Sequence, residues 1–206
     1  EGGDDIPSSY KSRDFDVAFG FDPTSTQSFE FLYLHQDQTD IELPGQAVDW
    51  DVLATRAVEL KWSEEDASWA DRVDIETWYN QSQLKGNAQS PAKRATFPFL
   101  DLIRYVGTTD VESLSTGAQI AATWNIDMDR FLRSGIDVRV VRQELDDLSS
   151  GRFGFNIFTN ANSPIPRSAA VNPGLFIELT DTSHDNLTLI AGARADVITT
   201  EVLADA

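Results

Sequence analysis

The sequence predicts an all-β chain, an antiparallel up-and-down meander of about eight strands that forms part of a transmembrane β-barrel. Three observations carry this. Apolar and polar residues alternate with period two in about eight separate stretches of the 206 residues, which is the signature of strands with one apolar face. The stretches are joined by connections that alternate short and long, as in a meander whose turns lie on one rim and whose loops lie on the other. No window approaches the ~20 apolar residues of a membrane helix, whereas a barrel strand needs only ~10 alternating ones.

Each element follows from that pattern. Residues 14–21 set Phe15, Val17, Phe19 and Phe21 against Asp14, Asp16, Ala18 and Gly20. Residues 27–35 place Phe29, Phe31 and Tyr33 together, with Leu32 and Leu34 blurring the other side. Residues 52–62 align Val52, Ala54, Val58, Leu60 and Trp62 against Thr55, Glu59 and Lys61, with Arg56 an exception on the apolar side. Residues 72–80 oppose Val73, Ile75, Thr77 and Tyr79 to Asp74, Glu76, Trp78 and Asn80. The next strands carry Leu114, Ala118, Ile120, Ala122 and Trp124, then Ile136, Val138 and Val140, then Leu175, Ile177 and Leu179. The last runs from Leu187 through Leu189, Ala191, Ala193 and Ala195 to Val197, against Thr188, Ile190, Gly192, Arg194 and Asp196. Charges at every second position would encircle a helix, so a helical reading fails.

Short turns are expected at residues 22–26, 63–71, 126–134 and 181–186, and long connectors at 36–51, 83–111 and 146–173. The first long connector holds Pro44-Gly45; the last is rich in Gly, Ser, Asn and Pro. A short loop helix is expected over residues 98–106. Aromatics gather near strand ends on the apolar face, at Phe15, Phe21, Trp62, Tyr79 and Trp124, where an interfacial girdle sits in a membrane barrel.

Composition narrows the function classes. Asp and Glu number 34 against 16 Lys and Arg, a formal net charge of -18. A nucleic-acid surface needs clustered cations and is excluded. There is no cysteine, hence neither a disulfide framework nor a thiolate metal site. His35 and His184 match no zinc spacing. A water-soluble β-sandwich or calyx would alternate in the same way with its apolar residues facing a core. Two further readings therefore stand beside the barrel segment: a complete small eight-stranded outer-membrane protein serving adhesion or envelope structure, and a soluble secreted β-barrel binding module.

Several segments resemble the barrel of TonB-dependent outer-membrane receptors. Residues 9–21, with Tyr10, Ser12, Asp14 and the ending Phe19-Gly20-Phe21, resemble that family's strand of the type Y-x-S-x-D/N followed by L-G-Y, and an aromatic strand, residues 29–37, comes next as it does there. Residues 40–45, leading to Asp49-Trp50-Asp51, are similar to a receptor loop with a P-G step and a D-x-D motif. Residues 71–80 and 185–196 resemble two further receptor strands, the second of the type L-T-L-x-A-G-L-R-x-D. The nearest likeness is to the copper-uptake branch, which favours methionine near the D-x-D loop; here Trp50 stands there and Met128 is the one methionine. The family combines a plug domain with a barrel of about 22 strands. The resemblance implies a truncated piece spanning residues 1–206, without the plug. It further implies import of a scarce solute such as a metal ion or metal chelate across the outer membrane, with outer-membrane lipid, a small-molecule or metal ligand and, through the plug, the TonB system as partners.

Candidate chemistry is sparse. The acids Asp37, Asp40, Glu42, Asp49 and Asp51, with His35 at the strand end beside them, form the candidate ligand-binding group, because clustered carboxylates suit a hard cation. Their spacing fits no twelve-residue calcium loop. Asp74 and Glu76, two apart on a strand, face the same way and are read as part of a row of lumen-facing carboxylates. Arg139 and Arg194 are expected to pair with neighbouring-strand acids such as Asp137 and Asp196. No G-x-S-x-G elbow or phosphate-cradling glycine loop is present, so no catalytic residue and no cofactor are assigned.

Overall fold

The computed structural model describes residues 9–43, 46, 48–184 and 186–203. The expected turn at Pro44-Gly45 lies outside the described residues. The fold is one antiparallel sheet built from β1 (Lys11–Phe21), β2 (Gln27–Ile41), β3 (Asp49–Ala67), β4 (Ala70–Asn87), β5 (Val106–Asn125), β6 (Arg130–Phe153), β7 (Asn156–His184) and β8 (Leu187–Asp196), each paired with its sequence neighbours. A final segment, β9 (Thr199–Val202), continues alongside β7 beyond the end of β8. The path is open: among the described residues β1 and β8 do not pair with each other.

The two faces differ in character across the middle of the sheet. One register row crosses the sheet as Phe21, Phe29, Trp62, Ile75, Ile120, Ile136, Leu175 and Ala195, one residue per strand. The adjacent row, on the opposite face because side chains alternate, reads Gly20, Glu30, Lys61, Glu76, Gln119, Asp137, Gly174 and Asp196. The apolar row is not sealed inside. On this face Phe19 is 57% exposed, Ile136 62% and Leu175 56%, and among the described residues no large side chain is fully buried. The accessible surface is 13778 Å² for 22.8 kDa, against about 9,600 Å² for a compact monomer of that mass. A sandwich or calyx would have converged these residues into a core; a single-layer wall leaves them bare.

The apolar band runs obliquely across the strands. The row that starts at Phe15 in β1 passes through His35, Arg56, Gln81, Leu114, Arg142 and Ala169 to end at Glu201. In β8, by contrast, apolar residues extend down to Leu189, opposite Asp181. Strands tilted by roughly 35–45°, as in membrane barrels, produce such a slant.

The strands are longer than their alternating cores, which corrects the connector lengths. The connector expected over 83–111 shrinks to residues 88–105 and the one over 36–51 to residues 42–48. The expected long loop over 146–173 is a hairpin, with β6 and β7 turning at Gly154-Phe155. Gly154 has φ 62, the positive first position of a type II′ turn. Beyond the apolar band apolar and polar residues are mixed on both faces, Phe153, Phe155 and Ile157 standing exposed at the hairpin end, so alternation fades while backbone pairing continues. Pro164 and Pro166 fall where the β6–β7 register shifts between Gln143 and Asp147, and a bulge relieves a residue that cannot donate to the ladder. The loop helix expected over 98–106 is instead two short helices, α1 (Pro91–Thr96) and α2 (Phe99–Leu102).

On the polar face the Trp78 indole of β4 reaches over Gly117 of β5, where a Cβ would collide with it and with the Val138 carbonyl. Gly117→Leu is expected to displace Trp78 and cost about 1–3 kcal/mol, read as earlier thermal loss of near-ultraviolet dichroism in detergent. Ala118→Leu, on the opposite face, is expected to leave the transition in place.

Candidate functional site

Two regions carry concentrated polar chemistry. The first is the polar face. Lys61 stands directly between Glu30 and Glu76 of its neighbouring strands and contacts Glu59 of its own at 2.5 Å. Below it Asp74 accepts from Ser63 Oγ at 2.7 Å and from Arg72 Nε at 2.9 Å. Gln119 and Arg133 complete the wall of a recess of about 420 Å³ open to this face. Arg133 lies over the Phe176 ring, 5.7 Å from its centroid. Farther along, the Arg194 guanidinium reaches Asp137 on β6 at 2.8 Å while holding Asp196 on its own strand at 2.6 Å. It crosses β7 above Gly174, where any Cβ would meet it. A missing side chain on the middle strand thus lets one cation tie three strands. The expected pairing of Arg194 is found; Arg139 instead donates to Ser115 Oγ at 3.2 Å.

The second region is the rim of long connectors. Asp49, at the start of β3, is buried and receives Lys93 Nζ at 2.8 Å, Ser90 Oγ at 2.5 Å and the Leu43 N–H at 3.0 Å. Lys93 also donates to the Leu43 carbonyl at 2.7 Å. Ser90 doubles as the N-cap of α1, accepting from the Lys93 N–H at 3.1 Å, with Pro91 in the first turn. Arg94 donates to the Tyr105 carbonyl, and the Arg152 N–H donates to the Ile103 carbonyl at 2.6 Å, so the β6–β7 hairpin is fastened to the same connector. Ala88 and Leu100 of the same connector are buried.

The candidate ligand residues are therefore dispersed over separate partners. Asp49 belongs to the buried strut. Asp40, at φ 52, takes Lys11 at 2.6 Å. Glu42 accepts from Ser9 Oγ at 2.9 Å. Asp51, at a register shift of β3, accepts from Asn87. His35 and Asp37 point to the apolar face, in register with Phe15 and Arg13. Among the described residues no three His, Cys, Asp or Glu side chains come together as a metal site. The sequence reading missed Lys93 and Ser90, although Ser90-Pro91 is a readable helix start, a cap followed by the residue preferred at the first helical position.

A single-layer antiparallel meander with one greasy and one charged face, and with folded connectors gathered on one rim, has the form of a transmembrane-type β-barrel wall. No protein-family model matches the chain, and no curated protein matches it. Among solved structures it matches a chain titled "Copper transporter OprC" with a TM-score of 0.70 and 21% identity, over 96% of this chain and 30% of that one. At that identity the likeness is one of fold: the antiparallel eight-strand path corresponds to part of that structure, and this chain spans about a third of the matched protein's length.

The Asp49 strut titrates with a defined sign. Burial alone would raise its carboxyl, but the bonds from Lys93, Ser90 and Leu43 outweigh burial and hold it below the ordinary carboxylate value. A lowered value means that the strut stabilises at pH above the unfolded value and is lost as pH falls through the folded one. Backbone amides of residues 88–105 are accordingly expected to stay protected from hydrogen exchange at neutral pH and to lose protection below about pH 4. Lys93→Ala, which strands a buried carboxylate, is expected to remove that protection at neutral pH, a local loss of about 3–5 kcal/mol.

Proposed function

We propose that the chain is a wall segment of an outer-membrane receptor that imports a scarce solute, with its apolar face in lipid and its polar face lining a wet interior. The observation that supports this best is the pair of adjacent register rows, one apolar and one polar from edge to edge. Only a sheet between hydrocarbon and water satisfies both without a core. The oblique apolar band and two aromatic groups on the apolar face, Phe21, Phe29, Trp62 and Trp124 at one level and Phe15, Tyr33 and Tyr79 at the other, agree with it. In this reading residues 1–206 are a partial barrel domain, and the free edges of β1 and β8 meet strands of the same barrel. The plug and the TonB system act through that larger assembly, and no chemical step is assigned.

The solute class rests on likeness alone. The matched structure's title names copper, and the present chain has one methionine, Met128, in the turn between β5 and β6, on the rim opposite the connectors. A metal held by a chelator, recognised through loop surfaces, fits this chain better than a bare soft metal ion, which would call for sulfur ligands. The candidate residues His35, Asp37, Asp40, Glu42, Asp49 and Asp51 lie at or near the rim where capture would start. Within this proposal Asp49 shapes the connector, and the more exposed Asp40 and Asp51 are the ones positioned to meet a ligand.

Removing residues 88–105 from the parent receptor, and joining Asn87 to Val106 by a short turn, is expected to leave the barrel heat-resistant in detergent and to weaken solute capture at least tenfold. Unchanged capture would remove this connector from the mechanism. A cooperative, detergent-free monomer of the isolated chain would contradict the membrane reading itself.

A further inference from the structure

Arg56 breaks the apolar face of β3, and its surroundings explain why a cation stands there. In register it faces His35 on β2 and Gln81 on β4, placing three side chains in one row on the apolar side, with Cβ atoms of directly opposed residues about 4.5–5.5 Å apart. The row below is Tyr33, Val58 and Tyr79, and below that lie Phe31, Leu60 and Thr77. At the other margin of the band β3 turns polar again at Glu64, level with Gln27 and Val73. From Glu64 to Arg56 is roughly 26 Å of strand, which a tilt of about 40° foreshortens to about 20 Å, near the height of the apolar band of a membrane barrel. Arg56 therefore stands where hydrocarbon ends on the connector side.

Arg56 and Gln81 supply the donors of this row. Arg56 is exposed and makes no ion pair among the described residues. The Tyr79 hydroxyl donates to Gln81 Oε1 at 3.3 Å, leaving the Gln81 NH2 to donate elsewhere. His35 Nδ1 is shielded and has no hydrogen-bond partner. The next row outward holds Arg13, Asp37, Ala54 and Gln83, so Arg13 adds a second cation and Asp37, directly opposite it, is the acid on this face nearest the row. In a chain of net charge -18, an unpaired guanidinium between an imidazole and an amide, set over aromatic rings at the edge of hydrocarbon, complements one kind of neighbour.

Resting on the membrane reading above, we propose that the row His35–Arg56–Gln81 seats the phosphate of an anionic lipid headgroup in the leaflet on the connector side. Arg56 is the principal contact and His35 and Gln81 flank it. The lipid chains then lie down the face along Val58, Leu60 and Trp62.

The test is native mass spectrometry of the full chain released from micelles containing equal amounts of phosphatidylglycerol and phosphatidylcholine. The intact chain is expected to retain phosphatidylglycerol about fivefold over phosphatidylcholine, the size of one cation's pull on an anionic surface. Arg56→Gln is expected to bring that ratio near unity with total retained lipid unchanged, and Gln81→Glu, which puts a carboxylate in the row, to lower it as well. Arg139→Gln, the same loss of charge on the polar face, is expected to leave the ratio alone, and added inorganic phosphate is expected not to displace the lipid. The proposal is overturned if Arg56→Gln keeps the preference, if Arg139→Gln loses it equally, or if inorganic phosphate displaces the lipid. Retention of neither lipid would overturn the membrane reading and this row with it, an outcome distinct from retention of both without regard to Arg56.

Discussion

A single-layer sheet satisfies its backbone and leaves its side chains to the solvent, and the rest of this structure depends on that constraint. Every inner strand finds hydrogen-bond partners on both sides, but among the described residues no second layer covers either face. The sheet therefore needs one surrounding for Phe, Val, Leu and Ile and another for Glu, Lys, Asp and Arg. Water on both sides would leave the apolar rows uncovered, a patch far larger than monomeric soluble proteins expose. Hydrocarbon on both sides would strand the charged lane that runs from Glu30 to Asp196. The unpaired edges of β1 and β8 add the same demand in another direction, since open edges seek further strands.

The polar face is held by side chains that reach across strands, where an ordinary core would hold a globular domain. Arg194 crosses Gly174 to join Asp137, and Trp78 covers Gly117. Each device needs a glycine on the strand that is crossed or covered. The connector rim has its own small interior, built on Asp49, Lys93 and Ser90, with Ala88 and Leu100 buried in the same connector. That assembly gives residues 88–105 a fixed shape, which a surface that captures a solute benefits from because less ordering is left to binding.

Much of the fold was legible because alternation is strong wherever one face is apolar. From Phe15–Phe21 to Leu187–Val197 each apolar stretch found its strand, and the short turns fell where Asp, Pro and Ser interrupt the pattern. Legibility failed beyond the apolar band. Residues 146–168 continue as a hairpin although Gly, Ser, Asn and Pro fill them, because pairing with a neighbour persists after facial alternation ends and bulges absorb the prolines. The site was less legible still. Carboxylates close in sequence suggested a cation cluster, but Lys11, Lys93, Ser9 and Asn87 each take one, and sequence spacing does not reveal partners that lie up to 44 positions away. Arg56 looked like a flaw in the β3 pattern; register with His35 and Gln81 gives it a context that one strand cannot.

The assignment of one face to lipid and the other to water is the central claim about this sheet. The chain contains no cysteine, so single-cysteine variants can be spin-labelled without background. Labels at positions 58 to 62 of β3, and at positions 119 and 138, would be placed in lipid bilayers and their collisions with oxygen and with a water-soluble nickel chelate compared. Labels replacing Val58, Leu60, Trp62 and Val138 should collide chiefly with oxygen, and those replacing Glu59, Lys61 and Gln119 chiefly with nickel, in strict alternation along β3. Uniform accessibility, or the reverse alternation, would contradict it.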